Sequence, residues 1–174
     1  GWEVDECEQP ESAKQAINWF ESKINKRITE IDESYSKYRI SEALMSTYKL
    51  VWDDFCSWYL EIVKPNYGSP IDKITYAKTI EQLEKILKLL HPFMPFISEE
   101  IWHLIDDRSD DIIVADWPKA GDVDEILLAD FEHTSEVVAG IRTIRKEQNI
   151  AQKEQLELLV IDNQKASNNL DAII

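Results

Sequence analysis

Two stretches decide how this chain folds: VWDDFCSWYLEIVKP at Val51–Pro65 and LLHPFMPFISEEIW at Leu89–Trp102. Rings at three- and four-residue spacing bury wide apolar faces on helices, so Trp52, Phe55, Trp58, Tyr59, Phe93, Phe96 and Trp102 are expected in a bundle core. Pro65, Pro92 and Pro95 fix where helices stop and restart.

Working outward, the apolar residues Ala13, Ile17, Phe20, Ile24, Ile28, Ile31 and Tyr35 step by three or four and predict a first helix from Pro10 to about Ser34. A second helix from about Ser41 to Lys64 carries Leu44, Tyr48, Val51, Phe55, Tyr59 and Ile62. Ser69, Pro70 and Asp72 supply an N-cap, a first-turn proline and an early carboxylate for a third helix bearing Ile74, Ala77, Leu83, Ile86 or Leu87, and Leu90. A short fourth helix starts near Pro95, with Glu99 and Glu100 complementing its positive end. Ile112–Ala115 and Leu156–Ile161 predict two short strands. Between them, Asp122 and Glu125 have capping-box spacing for a fifth helix ending at Asn149. The expected fold is mainly α: a helical bundle over 10–108, preceded by a linker remnant at 1–9. A two-stranded α/β appendage follows over 109–174, strand-helix-strand and truncated at its C-terminus.

The 174 residues and 44% hydrophobic content suffice for a core. Only four glycines speak against an all-β chain of tight turns. No apolar run approaches the roughly 18 residues of a membrane span, and Gly1–Pro10 has no basic-then-apolar leader order. Two cysteines, Cys7 and Cys56, are too few for a disulfide framework and fit a reducing cytoplasm, with Cys56 expected as a small buried hydrophobe. The non-Met start and the helix-like last residues suggest an excised piece of a longer protein.

The net charge of −15 repels phosphates at long range and disfavours indiscriminate binding to DNA, RNA or anionic membranes. Cations are nonetheless clustered: Lys23, Lys26, Arg27, Lys37 and Arg39 in one segment, and Arg142, Arg145, Lys146 and Lys153 in another. The acid collects from Asp106 to Glu132, where ten carboxylates meet only Arg108 and Lys119.

No catalytic constellation is visible. His91, His103 and His133 show no metal-ligand spacing, the adjacent pairs Asp53-Asp54 and Glu99-Glu100 diverge on a helix and read as solvated surface, and no phosphate-cradling loop occurs. The basic patches are the better lead. Lys23 and Arg27, four apart, share a helix face with Lys26 beside them. Tyr38-Arg39 falls at a helix junction, where a ring can stack on an unpaired base and a guanidinium can hydrogen-bond. Arg142, Arg145 and Lys146 share a face of the fifth helix, where they also suit the helix dipole.

Three segments carry a family resemblance. Trp52–Pro65 resembles the W-x-x-F-C-x-W-Y-L-E-x-x-K-P helix, Leu89–Trp102 the L-L-H-P-x-M-P-F-x-[ST]-E-E-[IL]-W turn, and IRTIRKEQNI at Ile141–Ile150 the later basic helix, of the anticodon-binding domain of class I aminoacyl-tRNA synthetases. The first and third favour the valyl branch over the isoleucyl, leucyl or methionyl ones. The resemblance implies a helical bundle that holds the anticodon stem-loop of a valine-accepting tRNA through Lys23, Lys26, Arg27, Tyr38, Arg39, Arg142, Arg145 and Lys146. It implies no cofactor in this region, since ATP and Mg belong to a catalytic domain elsewhere in the same polypeptide, and neither an HIGH-like nor a KMSKS-like signature occurs here. Ile40 departs from the aromatic expected after Tyr38-Arg39, and Lys23 from an expected Arg. A helical protein-interaction domain that binds no RNA is the competing reading.

Overall fold

A computed structural model describes residues 2–151 and residue 154. The chain divides into two compact units, Gly1–Asp124 and Glu125–Ile174.

The first unit is a helical bundle. Strand β1 (Val4–Asp5) is followed by helix α1 (Glu11–Ser36) and helix α2 (Ile40–Lys49). The chain then continues without a break through a π-helical segment (Leu50–Tyr59) into α3 (Leu60–Val63). Strand β2 (Ile71–Asp72), α4 (Lys73–Leu90), α5 (Pro95–Ile105) and a 3₁₀ turn (Ile112–Val114) complete the order. β1 and β2 pair in parallel, Val4 opposite Ile71 and Asp5 opposite Asp72.

The α1 stripe is buried as its periodicity requires, with Phe20, Ile24, Ile28 and Ile31 at 0% exposure. The Phe20 ring meets Phe55 at 5.4 Å and Tyr59 at 4.8 Å, which ties α1 to the π segment. Burying such aliphatic and aromatic groups contributes about 1.5–3 kcal/mol each. Tyr59 places its hydroxyl 2.9 Å from Thr79 Oγ1, satisfying a polar group inside the core. A second cluster joins Leu87, Trp102 and Ile112.

The second helix departs from its expected register. Ala43, Thr47, Leu50, Asp54, Phe55, Tyr59 and Val63 are buried, while Leu44, Tyr48 and Trp52 are exposed and Trp58 is half-buried. From Leu50 the inward positions step by four or five residues, because i→i+5 bonding widens each turn. A constant 3.6 period therefore assigns Trp52 and Cys56 to the wrong side. Cys56 is exposed rather than buried.

Other boundaries move for identifiable reasons. Asp72, not Ser69, caps α4: its carboxylate accepts the Thr75 N–H at 2.8 Å, while Ile71 is taken by the parallel pair. On α4 the buried residues include Thr75, Thr79 and Gln82, whereas Ile74 is exposed, so polar core positions hide the true face. Ile112–Ala115 is not a strand; Ile112–Val114 forms the 3₁₀ turn, with Ile112 in the second cluster. The two-stranded sheet comes from the segments before α1 and α4 instead. Leu156–Ile161, the other expected strand, lies outside the described residues.

Residues 116–124 run along α1 rather than opening an appendage after residue 108. Trp117 Nε1 donates to Asp32 at 2.9 Å, and Asn25 Nδ2 donates to the Asp122 carbonyl at 2.9 Å. At Gly121 a Cβ would come within 3.0 Å of Asn25 Nδ2, so glycine permits this approach.

The second unit contains α6 (Glu125–Glu147), whose Phe131 and Thr134 are buried. It ends as its sequence suggests: Asn149 adopts a φ of 55°, and the Ile150 N–H reaches the Arg145 carbonyl at 2.9 Å.

Candidate nucleic-acid interface

The cations expected to share a face of α1 do share one, but that face is turned to a carboxylate. Asp54 is only 8% exposed, and Lys23 Nζ lies 3.5 Å from its Oδ1. Arg27 approaches Asp54 Oδ2 through Nε at 3.4 Å and Glu30 through Nη1 at 2.8 Å. Burial pushes the Asp54 carboxyl above its ordinary value, and the attraction of Lys23 and Arg27 offsets this only in part. Burial alone would pull Arg27 down, yet its bonds to Glu30 and Asp54 leave it raised. Asp54 is thus no solvated surface acid, and Lys23 and Arg27 are held by carboxylates of their own bundle rather than standing as an open ledge. Lys26 is half-buried beside them.

The junction after α1 is different. Tyr38 has a φ of 57°, the left-handed region where glycine is usual, because the chain must reverse between α1 and α2 there. The Arg39 N–H closes the turn on the Ser34 carbonyl at 2.8 Å, and the Tyr38 N–H reaches Tyr35 at 3.0 Å. This geometry throws the Tyr38 ring outward, 90% exposed. Next to it Arg39 is exposed, its guanidinium 3.4 Å from Glu42 in a surface pair worth little in water. A second outward ring accompanies this end of the bundle. Tyr35 stacks on Phe93 with ring centres 6.4 Å apart, and three residues beyond Phe93, in the first turn of α5, Phe96 is 90% exposed. Periodicity assigned Phe96 to the core; its position just after Pro95, on the outer side of a helix start, was the signal that it need not be.

In the second unit Arg142 and Lys146 are exposed and four residues apart on α6. Arg145 is committed locally: its guanidinium donates to the Ala151 carbonyl at 2.7 Å and the Glu154 carbonyl at 2.9 Å, securing the chain after the helix.

The histidines have local partners. His91 Nδ1 sits 2.8 Å from Ser98 Oγ and fastens the histidine-proline turn to α5. His133 lies 3.8 Å from Glu136. Cys56 is held above the usual thiol range by desolvation, which disfavours the nucleophilic thiolate. Among the described residues no helix is long and apolar enough to cross a membrane.

Residues 18–160 of this ring-filled bundle match the family described as the anticodon-binding domain of tRNA ligase. The chain belongs to that family. It is similar over its whole length to a valine–tRNA ligase of Christiangramia forsetii, with 52% identity across 20% of that protein. It is 53% identical to that of Phocaeicola vulgatus over 92% of the chain and 19% of the relative. It is 34% identical to that of Brucella suis over 91% of the chain and 18% of the relative. The chain therefore spans about a fifth of the length of the curated relatives it matches.

Proposed function

We propose that this chain is the anticodon stem-loop binding module of a valine–tRNA ligase, and that Tyr38 and Arg39 make its principal contacts. The observation that carries the reading is Tyr38, a bulky residue in a left-handed conformation that L side chains rarely adopt, with its ring given to solvent. Anticodon bases are unstacked and accept a ring on their faces, a contact worth about 1–3 kcal/mol per base. Arg39 supplies hydrogen bonds or a planar stack at the same point, and exchanging its exposed pair with Glu42 for a phosphate costs little. Phe96 adds a second stacking surface on the segment joined to this end by the Tyr35–Phe93 pair. Lys26 adds phosphate attraction on this unit, and Arg142 and Lys146 offer it separately on α6. Lys23 and Arg27 act mainly by anchoring Asp54, and Arg145 by closing α6.

In this reading the parent polypeptide charges valine-accepting tRNA with ATP and Mg in a catalytic domain outside this region, as a soluble cytoplasmic enzyme, and DNA is not a ligand. The test is a titration with tRNA bearing a valine anticodon against one bearing an unrelated anticodon. Tighter binding of the first supports anticodon reading; equal affinity for both contradicts it.

The exposed apolar stripe Ile40, Leu44, Met45, Tyr48 and Trp52 along α2 and the π segment favours a second role for this unit, as a surface for protein contact. That role is compatible with the first.

A further inference from the structure

We propose that Glu99, His103 and Asp111 form a binding site for one divalent transition-metal ion of the zinc class. Glu99 and His103 stand four residues apart on α5, so their side chains project from the same face one turn apart. Asp111 arrives from the loop after the helix. His103 Nε2 lies 3.0 Å from Glu99 Oε1 and 3.4 Å from Asp111 Oδ1, and the three ligand atoms all fall within 4.8 Å of one another.

The two separations from His103 are compatible with one shared ion. An ion bound about 2.1 Å from each atom holds its ligands about 3.0 Å apart at right angles and about 3.4 Å apart at the tetrahedral angle. One imidazole nitrogen and two carboxylate oxygens suit zinc and its neighbours; magnesium or calcium would call for oxygen ligands throughout. Three protein ligands leave the remaining positions to water.

The surroundings support the site. Glu99 Oε1 also accepts the Ile112 N–H at 3.0 Å, a backbone bond that fixes the carboxylate in place. Glu99 and Asp111 bring two negative charges to His103. Arg108 is engaged by Glu84 and Asp106, and its guanidinium lies over the Trp102 ring. A bound ion would clip the acidic loop to α5 and cancel the charges of Glu99 and Asp111.

The experiment is calorimetric titration of the untagged chain with zinc chloride, with the three histidine ring signals followed by NMR. The expected result is saturable one-to-one binding that shifts the His103 signals, leaves His91 and His133 in place, and survives a large excess of magnesium. His103→Ala and Asp111→Asn should each weaken it by roughly tenfold or more. The Asp111 side chain is 67% exposed and that of His103 37%, and circular dichroism checks that both variants fold, whereas Cys7→Ser with Cys56→Ser should leave the affinity unchanged. Absence of saturable binding up to about 1 mM zinc, or unchanged affinity in His103→Ala, overturns the site.

Discussion

Tyr38 sets the scale of a single residue. A side chain at positive φ costs about 1–2 kcal/mol that glycine would avoid, and no buried contact repays it, since the ring is exposed. Tyr38→Gly should therefore raise stability in urea unfolding, by up to about 1 kcal/mol, while weakening tRNA binding. A variant that lost stability would show instead that the ring supports the fold. Asp54 and Glu81 make opposite pH predictions. Asp54 sits above its ordinary value because burial outweighs its two cations, so its contribution favours the fold at low pH and is lost as pH rises through the folded value. Glu81 is held below its ordinary value, first by the hydrogen bond from Lys78, so its contribution is present above the unfolded carboxylate range and lost as pH falls through the folded value. Urea midpoints measured between about pH 3 and 6 should show less acid destabilisation in Glu81→Gln than in the parent. Asp54→Asn should forfeit the gain that the parent makes from Asp54 on acidification.

At the scale of the element, the π segment makes the sharpest demand. Phe55 packs on Phe20 and Tyr59, and Phe55→Ala should cost about 3–5 kcal/mol. Trp52, three residues earlier and 60% exposed, should cost less than about 1 kcal/mol when truncated to Ala. Thermal or urea unfolding of the two variants checks this, and equal losses would mean that the helix keeps a simple α register. The same segment explains what could be read from the residues alone. α1 was legible because its stripe is apolar from Ala13 to Tyr35 and its period never changes. The end of α6 was legible because Asn149 is a residue that tolerates left-handed geometry. The face of α4 was not, since Thr75 and Thr79 are buried with hydrogen-bond partners and Gln82 by packing, which no hydropathy pattern records. At the interface, spacing placed Lys23 and Arg27 on one face correctly but could not reveal Asp54, a residue 27 positions after Arg27, lying against them. The Tyr38-Arg39 junction was visible because the apolar stripe of the first helix stops near Tyr35 and that of the second starts after Ser41.

For the molecule as a whole, the charge of −15 disfavours indiscriminate phosphate binding, so under the proposed function a small cationic contact surface selects its RNA by exclusion. Only a few phosphates can be neutralised, so log affinity against log salt should have a slope of about −2 to −3, and a much steeper slope would point to a broad electrostatic groove instead. Under the proposed function the α1–α2 junction, and not the Asp54-bound cations, holds the RNA. The direct measurement is the affinity for valine-accepting tRNA of Tyr38→Ala/Arg39→Ala beside Lys23→Gln, each checked for folding by circular dichroism. The expected result is at least a roughly tenfold loss in the double variant, from one lost base stack and its neighbouring hydrogen bonds, and nearly unchanged affinity for Lys23→Gln. Full affinity in the double variant together with a loss in Lys23→Gln would contradict it.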